Sequence, residues 1–93
     1  MQSNTITTDL GWFLRYVTAY LDGGPNAFLL TMEGTQFVPV ILQGQYRLFA
    51  LDKLDALLHT ITATFYKAYG GWLVNLAFDD CGMYTGQVSF CQT

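Results

Sequence analysis

The chain has 93 residues and a mass of 10.4 kDa, room for one compact domain and none for a second. Hydrophobic residues make up 52% and charged residues only 12%, about half the usual charged share of roughly 25%, which excludes intrinsic disorder. Four basic residues against seven acidic ones leave a net charge of −3. Arg15, Arg47, Lys53 and Lys67 are scattered, so no basic stripe exists to neutralise a phosphate backbone, and direct nucleic-acid binding is not expected.

The first nine residues lack the basic start and apolar run of a signal peptide. The longest apolar run, Phe37-Val38-Pro39-Val40-Ile41-Leu42, is far short of the roughly 20 residues of a membrane helix. A soluble cytoplasmic protein without membrane contact is the expectation. Thr8 is placed to cap a helix beginning at Asp9, and Leu10, Phe13, Leu14, Val17 and Leu21 recur on one helical face. Gly23-Gly24-Pro25 stops that helix. Asn26 to Glu33 reads as a strand, Gly34-Thr35 as a turn, and Gln36 to Gln43 as a second strand rich in β-branched and aromatic residues. Pro39 predicts an edge position or a bulge there, because it has no N–H for a ladder. A turn at Gly44-Gln45 and a short strand at Tyr46 to Phe49 complete a meander.

A second helix follows, with Asp52 as its expected N-cap and Leu54, Leu57, Leu58, Ile61 and Phe65 as its apolar face. Thr60, Thr62 and Thr64 lower its intrinsic propensity, so it depends on docking that face. Gly70-Gly71 is the expected end. Trp72 to Phe78 alternates as a strand, Asp79-Asp80-Cys81-Gly82 turns, and Met83 to Phe90 returns with a bulge at Gly86. The whole predicts an α+β fold in the order α-β-β-β-α-β-β: a mainly antiparallel sheet of about five strands with two helices on one face. Phe13, Val17, Leu58, Ile61 and Phe65 are its expected core.

No phosphate loop, dinucleotide fingerprint, metal motif or nucleophile elbow is present. Cys81 and Cys91 cannot make a zinc site with a single histidine unless carboxylates or another chain contribute ligands, and the hairpin would hold them beyond disulfide reach. Neither a cofactor nor a metal is expected. His59 lies one helical turn from Asp55 and near Asp52 and Tyr66, a group that suits acid–base chemistry only if buried in a cleft. An exposed Asp–His pair is the simpler account, and a small enzyme using His59 with Asp55 ranks third among the functions considered.

Fifteen aromatic residues exceed what so small a core encloses, which predicts a contact face. Trp12 and Tyr16 project sideways or outward from the first helix, one turn apart and flanked by Arg15 and Ala19. Trp, Tyr and Arg are the residue types that dominate interface hot spots. The acidic Asp79-Asp80 turn is placed to meet a basic patch on the same partner. The helix-free face of the sheet, carrying residues such as Leu29 or Leu73, is the alternative surface and would suit a homodimer or other homo-oligomeric accessory subunit.

Phe37-Val38-Pro39, the following helix, Tyr69-Gly70-Gly71-Trp72 and Gly82-Met83-Tyr84 together resemble plasmid antirestriction proteins of the ArdB/KlcA type. Those carry an F-L-P segment before a helix, Y-x-G-G-Y-W after it, and N-G-G-F-Y-M at the next turn. The likeness covers about half the chain, from Phe37 to Tyr84. It departs at Asp80-Cys81-Gly82, where the family has Asn-Gly-Gly, and at the first helix and strand, which have no counterpart. The resemblance implies a non-enzymatic, phage- or plasmid-encoded anti-defence inhibitor. Its partner would be a host restriction nuclease or a CRISPR effector complex, blocked by surface occupation.

Overall fold

The computed structural model describes residues 4–24, 27–65 and 71–93. The chain is α+β, in the order β1 (Asn4–Asp9), α1 (Leu10–Asp22), β2 (Leu30–Met32), β3 (Thr35–Leu42), β4 (Gln45–Ala50), α2 (Leu51–Thr64), β5 (Trp72–Phe78) and β6 (Tyr84–Gln92). Two features differ from the sequence expectation. A strand, β1, precedes the first helix, so the order begins β-α rather than α. And the described strands form two three-stranded antiparallel sheets, β1-β5-β6 and β2-β3-β4, rather than one sheet of five.

β1 escapes a sequence reading because only Ile6 among its residues is a strong hydrophobe. Ile6 is buried opposite Leu76, while Thr5 and Thr7 oppose Ala77 and Asn75 on the other face. The β-branched threonines suit a half-buried pleated surface, and β5 supplies the partner. β1 runs straight into α1, which moves the cap from Thr8 to Asp9: its carboxylate accepts from the Trp12 N–H at 2.7 Å. Leu10, Phe13 and Val17 are buried, with Leu14 and Leu21 packed against them. Gly24 takes the left-handed conformation (φ 58°) just past the helix, the role expected of one of the two glycines. Pro25 and Asn26 lie outside the described residues. The Tyr20 hydroxyl donates to the Phe28 carbonyl at 2.6 Å and accepts from the Phe28 N–H at 2.8 Å, fastening the following segment to the helix.

The meander is present with shifted boundaries. Glu33-Gly34 and Gln43-Gly44 form its turns, both residues of each pair having positive φ, the geometry that matches the twist of paired strands. β2 is shorter than expected, and this accommodates Pro39. β3 is the central strand of its sheet, without a bulge at Pro39, which opposes Leu48 of β4. β2 however pairs only as far as Phe37, so the missing proline N–H falls where β3 has no β2 neighbour. α2 follows β4 without a loop, so its N-cap is Ala50 rather than Asp52. The Asp52 carboxylate instead accepts from the Lys53 N–H within the first turn. Leu54, Leu57 and Ile61 are buried; Leu58 and Phe65 are half-buried against the core. α2 ends at Thr64, ahead of the expected Gly70-Gly71 stop, and 66–70 lie outside the described residues.

β5 has the expected boundaries and inner face. Opposite it, Leu76 pairs with Val88 and Phe78 with Tyr84, so Ala77 faces three residues of β6. This is the expected bulge, with Gly86 at φ 94°, a conformation that favours glycine. The sheets meet where the Leu48 N–H donates to the Gly82 carbonyl at 2.9 Å, beside a parallel bridge between Leu48 and Met83. Beneath that junction Phe49 of β4 packs against Phe13 of α1, Phe78 of β5 and Tyr84 of β6. One core therefore serves both sheets.

Cys81 and Cys91 are free and exposed. Cys91 opposes Leu73 near the start of β5, whereas Cys81 lies in the turn beyond its last residue, Phe78. Thiol titration of the unfolded, unreduced monomer should find two free thiols; finding none would contradict the β5–β6 register.

Candidate protein-contact surfaces

The local geometry of α1 brings two of the expected contact residues together. Trp12 and Tyr16, one turn apart on a helix, stack with ring centroids 5.1 Å apart and planes inclined by only 10°. Trp12 remains 41% exposed, while Tyr16 is half-buried against the core. Arg15 is exposed beside them. The stack is held by the same turn that Asp9 caps.

Asp79 and Asp80 are not brought to this site. α1 leaves the sheet where Asp9 opposes Leu73, and the acidic turn leaves it beyond Phe78, five residues further along β5, a separation of about 17 Å at roughly 3.3 Å per residue. Asp79 is also occupied locally. One carboxylate oxygen accepts from the backbone N–H groups of Cys81 at 2.8 Å and Met83 at 3.0 Å, which shapes the turn. Asp80 is exposed. Of the basic residues, Arg47 opposes Val40 on the core side of β4, and its guanidinium lies 5.6 Å from the centre of the Phe78 ring.

Asp55, the residue paired with His59 in the acid–base alternative, lines an open groove with Asp52, Leu51 and the Gly34–Gln36 turn. His59 and Asp55 are both exposed on α2, and Tyr66 lies outside the described residues. Among the described residues no group of three His, Cys, Asp or Glu side chains is placed to hold a metal ion, and no helix is long and apolar enough to cross a membrane. Burial raises the Tyr84 phenol above its usual range.

A second apolar surface is the helix-free face of β2-β3-β4, an open sheet face of the expected kind built from residues other than those expected. On the side of β2, β3 and β4 away from the core, Met32, Ile41 and Tyr46 are exposed, Phe37 and Leu48 are half-buried and Pro39 is buried. Tyr46 is 68% exposed, its direct partner Ile41 44% and Met32 37%. The corresponding face of β1-β5-β6 is polar: the Thr7 hydroxyl donates to the Asn75 side-chain carbonyl at 2.7 Å, and the Asn75 amide donates to the Ser89 hydroxyl at 3.1 Å. Of the two residues expected on a helix-free face, Leu73 is on that polar face, half-buried, whereas Leu29 packs against the core. The signal for the apolar face lay in the alternation Phe37, Pro39, Ile41. It was masked because Val38, Val40 and Leu42 are equally apolar.

No family model, curated protein or solved structure matches the chain.

Proposed function

We propose that this chain is a non-enzymatic interaction protein that acts by occupying a surface of a larger protein, with Trp12 and Tyr16 at the centre of the contact and Arg15 at its rim. The observation that carries this reading is the Trp12–Tyr16 stack: two rings pre-ordered by one helical turn, with Trp12 41% exposed. Ordering costs little when such a pair is already rigid, and burying its apolar area recovers about 25 cal/mol per Å². The partner favoured within this class is a nuclease complex of a host defence system, supported by the resemblance between Phe37 and Tyr84. The exposed Asp80 would then compete with nucleic acid for a basic groove and inhibit without chemistry.

Affinity capture from host lysate, followed by titration of the captured protein, tests the contact. The double variant Trp12→Ala/Tyr16→Ala should lose at least about 2 kcal/mol of binding free energy, with its circular dichroism unchanged. Unchanged affinity in a variant that has lost stability would make the pair a structural element instead. A second reading, a homo-oligomeric subunit, is favoured by the apolar face of β2-β3-β4.

A further inference from the structure

Among the described residues β6 pairs with β5 and with no strand along its other side. Its approach is closed off, because the Leu48 N–H of β4 donates to the Gly82 carbonyl beside the Leu48–Met83 bridge. β4 then ends at Ala50 and α2 takes its place. In an antiparallel ladder every second residue turns its N–H and C=O away from the partner strand. The Gln87 N–H is used locally by the Thr85 hydroxyl at 3.2 Å, so Val88 to Gln92 is the open edge.

Along the first part of β6, Ala56, Leu57 and Thr60 of α2 face Tyr84, Gly86 and Val88 across a groove of about 180 Å³. That is below the roughly 300 Å³ at which pockets begin to hold a cofactor-sized molecule. Two polar groups in it lack partners. Tyr84 is only 5% exposed, yet its hydroxyl bonds to no described residue and is not sealed inside the core. A buried tyrosine hydroxyl ordinarily finds a partner. Lys53, which also lines the groove, pairs with no described carboxylate. Its Cδ lies 3.8 Å from where a Cβ on Gly86 would stand, so its stem crosses the groove beside Tyr84 and the absent side chain keeps the space open. Asp52 and Asp55 line a different groove, with the Gly34–Gln36 turn. The charge that lines this groove is therefore positive, in a chain of net charge −3.

We propose that the groove takes the C-terminal end of a partner polypeptide, added to β6 as an extended antiparallel strand with its terminal carboxylate on Lys53 and the Tyr84 hydroxyl. Direction selects the terminus. A strand added antiparallel to β6 runs toward the start of β6, where β4 blocks its continuation, so it ends beside Lys53 and Tyr84. A parallel strand would begin there and set its terminal ammonium against Lys53. The carboxylate gains a charge-assisted bond, the open edge supplies main-chain bonds, and the groove reads the last side chain. Ala56, Leu57 and Val88 make that side chain aliphatic. α2 stands along the groove, so a single strand fits where the edge of a folded sheet does not. The site is separate from the Trp12–Tyr16 contact, which lies on α1.

An array of random hexapeptides immobilised by their N-termini, printed once as free acids and once as C-terminal amides, tests this with the intact chain. Free acids ending in Val, Leu or Ile should be retained, and their amides should bind about tenfold more weakly or worse, the loss expected for a hydrogen bond to a charged group. For a retained peptide, Lys53→Gln should raise the dissociation constant about tenfold, and Tyr84→Phe about threefold to tenfold. Tyr84→Phe removes an unbonded hydroxyl and keeps the ring, so the fold stays intact by circular dichroism. Trp12→Ala should leave binding unchanged, and amide chemical shifts should move along Val88 to Gln92. An array that retains no free acid overturns the inference. So do amides bound as tightly as acids, binding indifferent to both groove substitutions, or binding abolished by Trp12→Ala.

Discussion

Phe49→Ala should cost about 3–5 kcal/mol of folding stability, the upper range for deleting a buried aromatic ring. Phe49 is fully buried. Its ring centroid lies 4.9 Å from Tyr84, 5.5 Å from Phe78 in an edge-to-face arrangement, and 6.1 Å from Phe13. Those partners belong to β6, β5 and α1, while Phe49 itself is on β4. The residue thus joins the two sheets through side-chain packing where, among the described residues, the backbone joins them only at Leu48, Gly82 and Met83. Removing it opens a cavity at the junction that neither sheet can fill alone, because each is held by its own ladder. Urea denaturation measures the loss. A value below about 1 kcal/mol would mean that the sheets are held together elsewhere.

Ile61→Ala should cost about 2–5 kcal/mol, and Leu58→Ala distinctly less, because the cost of such a deletion follows burial and the cavity left behind. The sequence pattern puts both residues on the apolar face of α2 and treats them alike. In the structure Ile61 is fully buried, whereas Leu58 is half-buried at the margin of the core. α2 lies over β3 and β4 with Leu54, Leu57 and Ile61 as its centre line. The helix is rich in threonine and has no side-chain cap, so docking is its main support, and the Ile61 deletion acts on the helix as well as on the core. Paired chemical denaturation of the two variants decides the matter. Equal losses would show that the helix is rotated about its axis relative to this packing.

Local pattern was enough for much of this architecture. The three- and four-residue spacing of Leu10, Phe13 and Val17, and of Leu54, Leu57 and Ile61, marks the buried side of each helix, because a helix brings those positions together whatever it packs against. The alternation from Trp72 to Phe78 marks β5 and its inner face, and Gly34 and Gly44 mark turns that need positive φ. The stacking of Trp12 on Tyr16 is of the same kind, a contact within one helical turn. Asp79 shows where such inference stops. Its charge suggested a partner, but its oxygen is used by the turn that contains it.

Pairing between distant segments is not written in any local period. β1 forms because Ile6 and Thr7 find Leu76 and Asn75, about seventy residues away, and its own residues carry too little apolar signal to announce a strand. The split into two sheets arises because, among the described residues, the only bridge between β4 and the β5–β6 hairpin is the isolated Leu48–Met83 one, and both sheets close over Phe49 instead. Alternation along β3 separates Val38, Val40 and Leu42 from Phe37, Pro39 and Ile41, but both sets are apolar. Only the docking of the helices decides which set is buried, and so leaves Ile41 and Tyr46 in water.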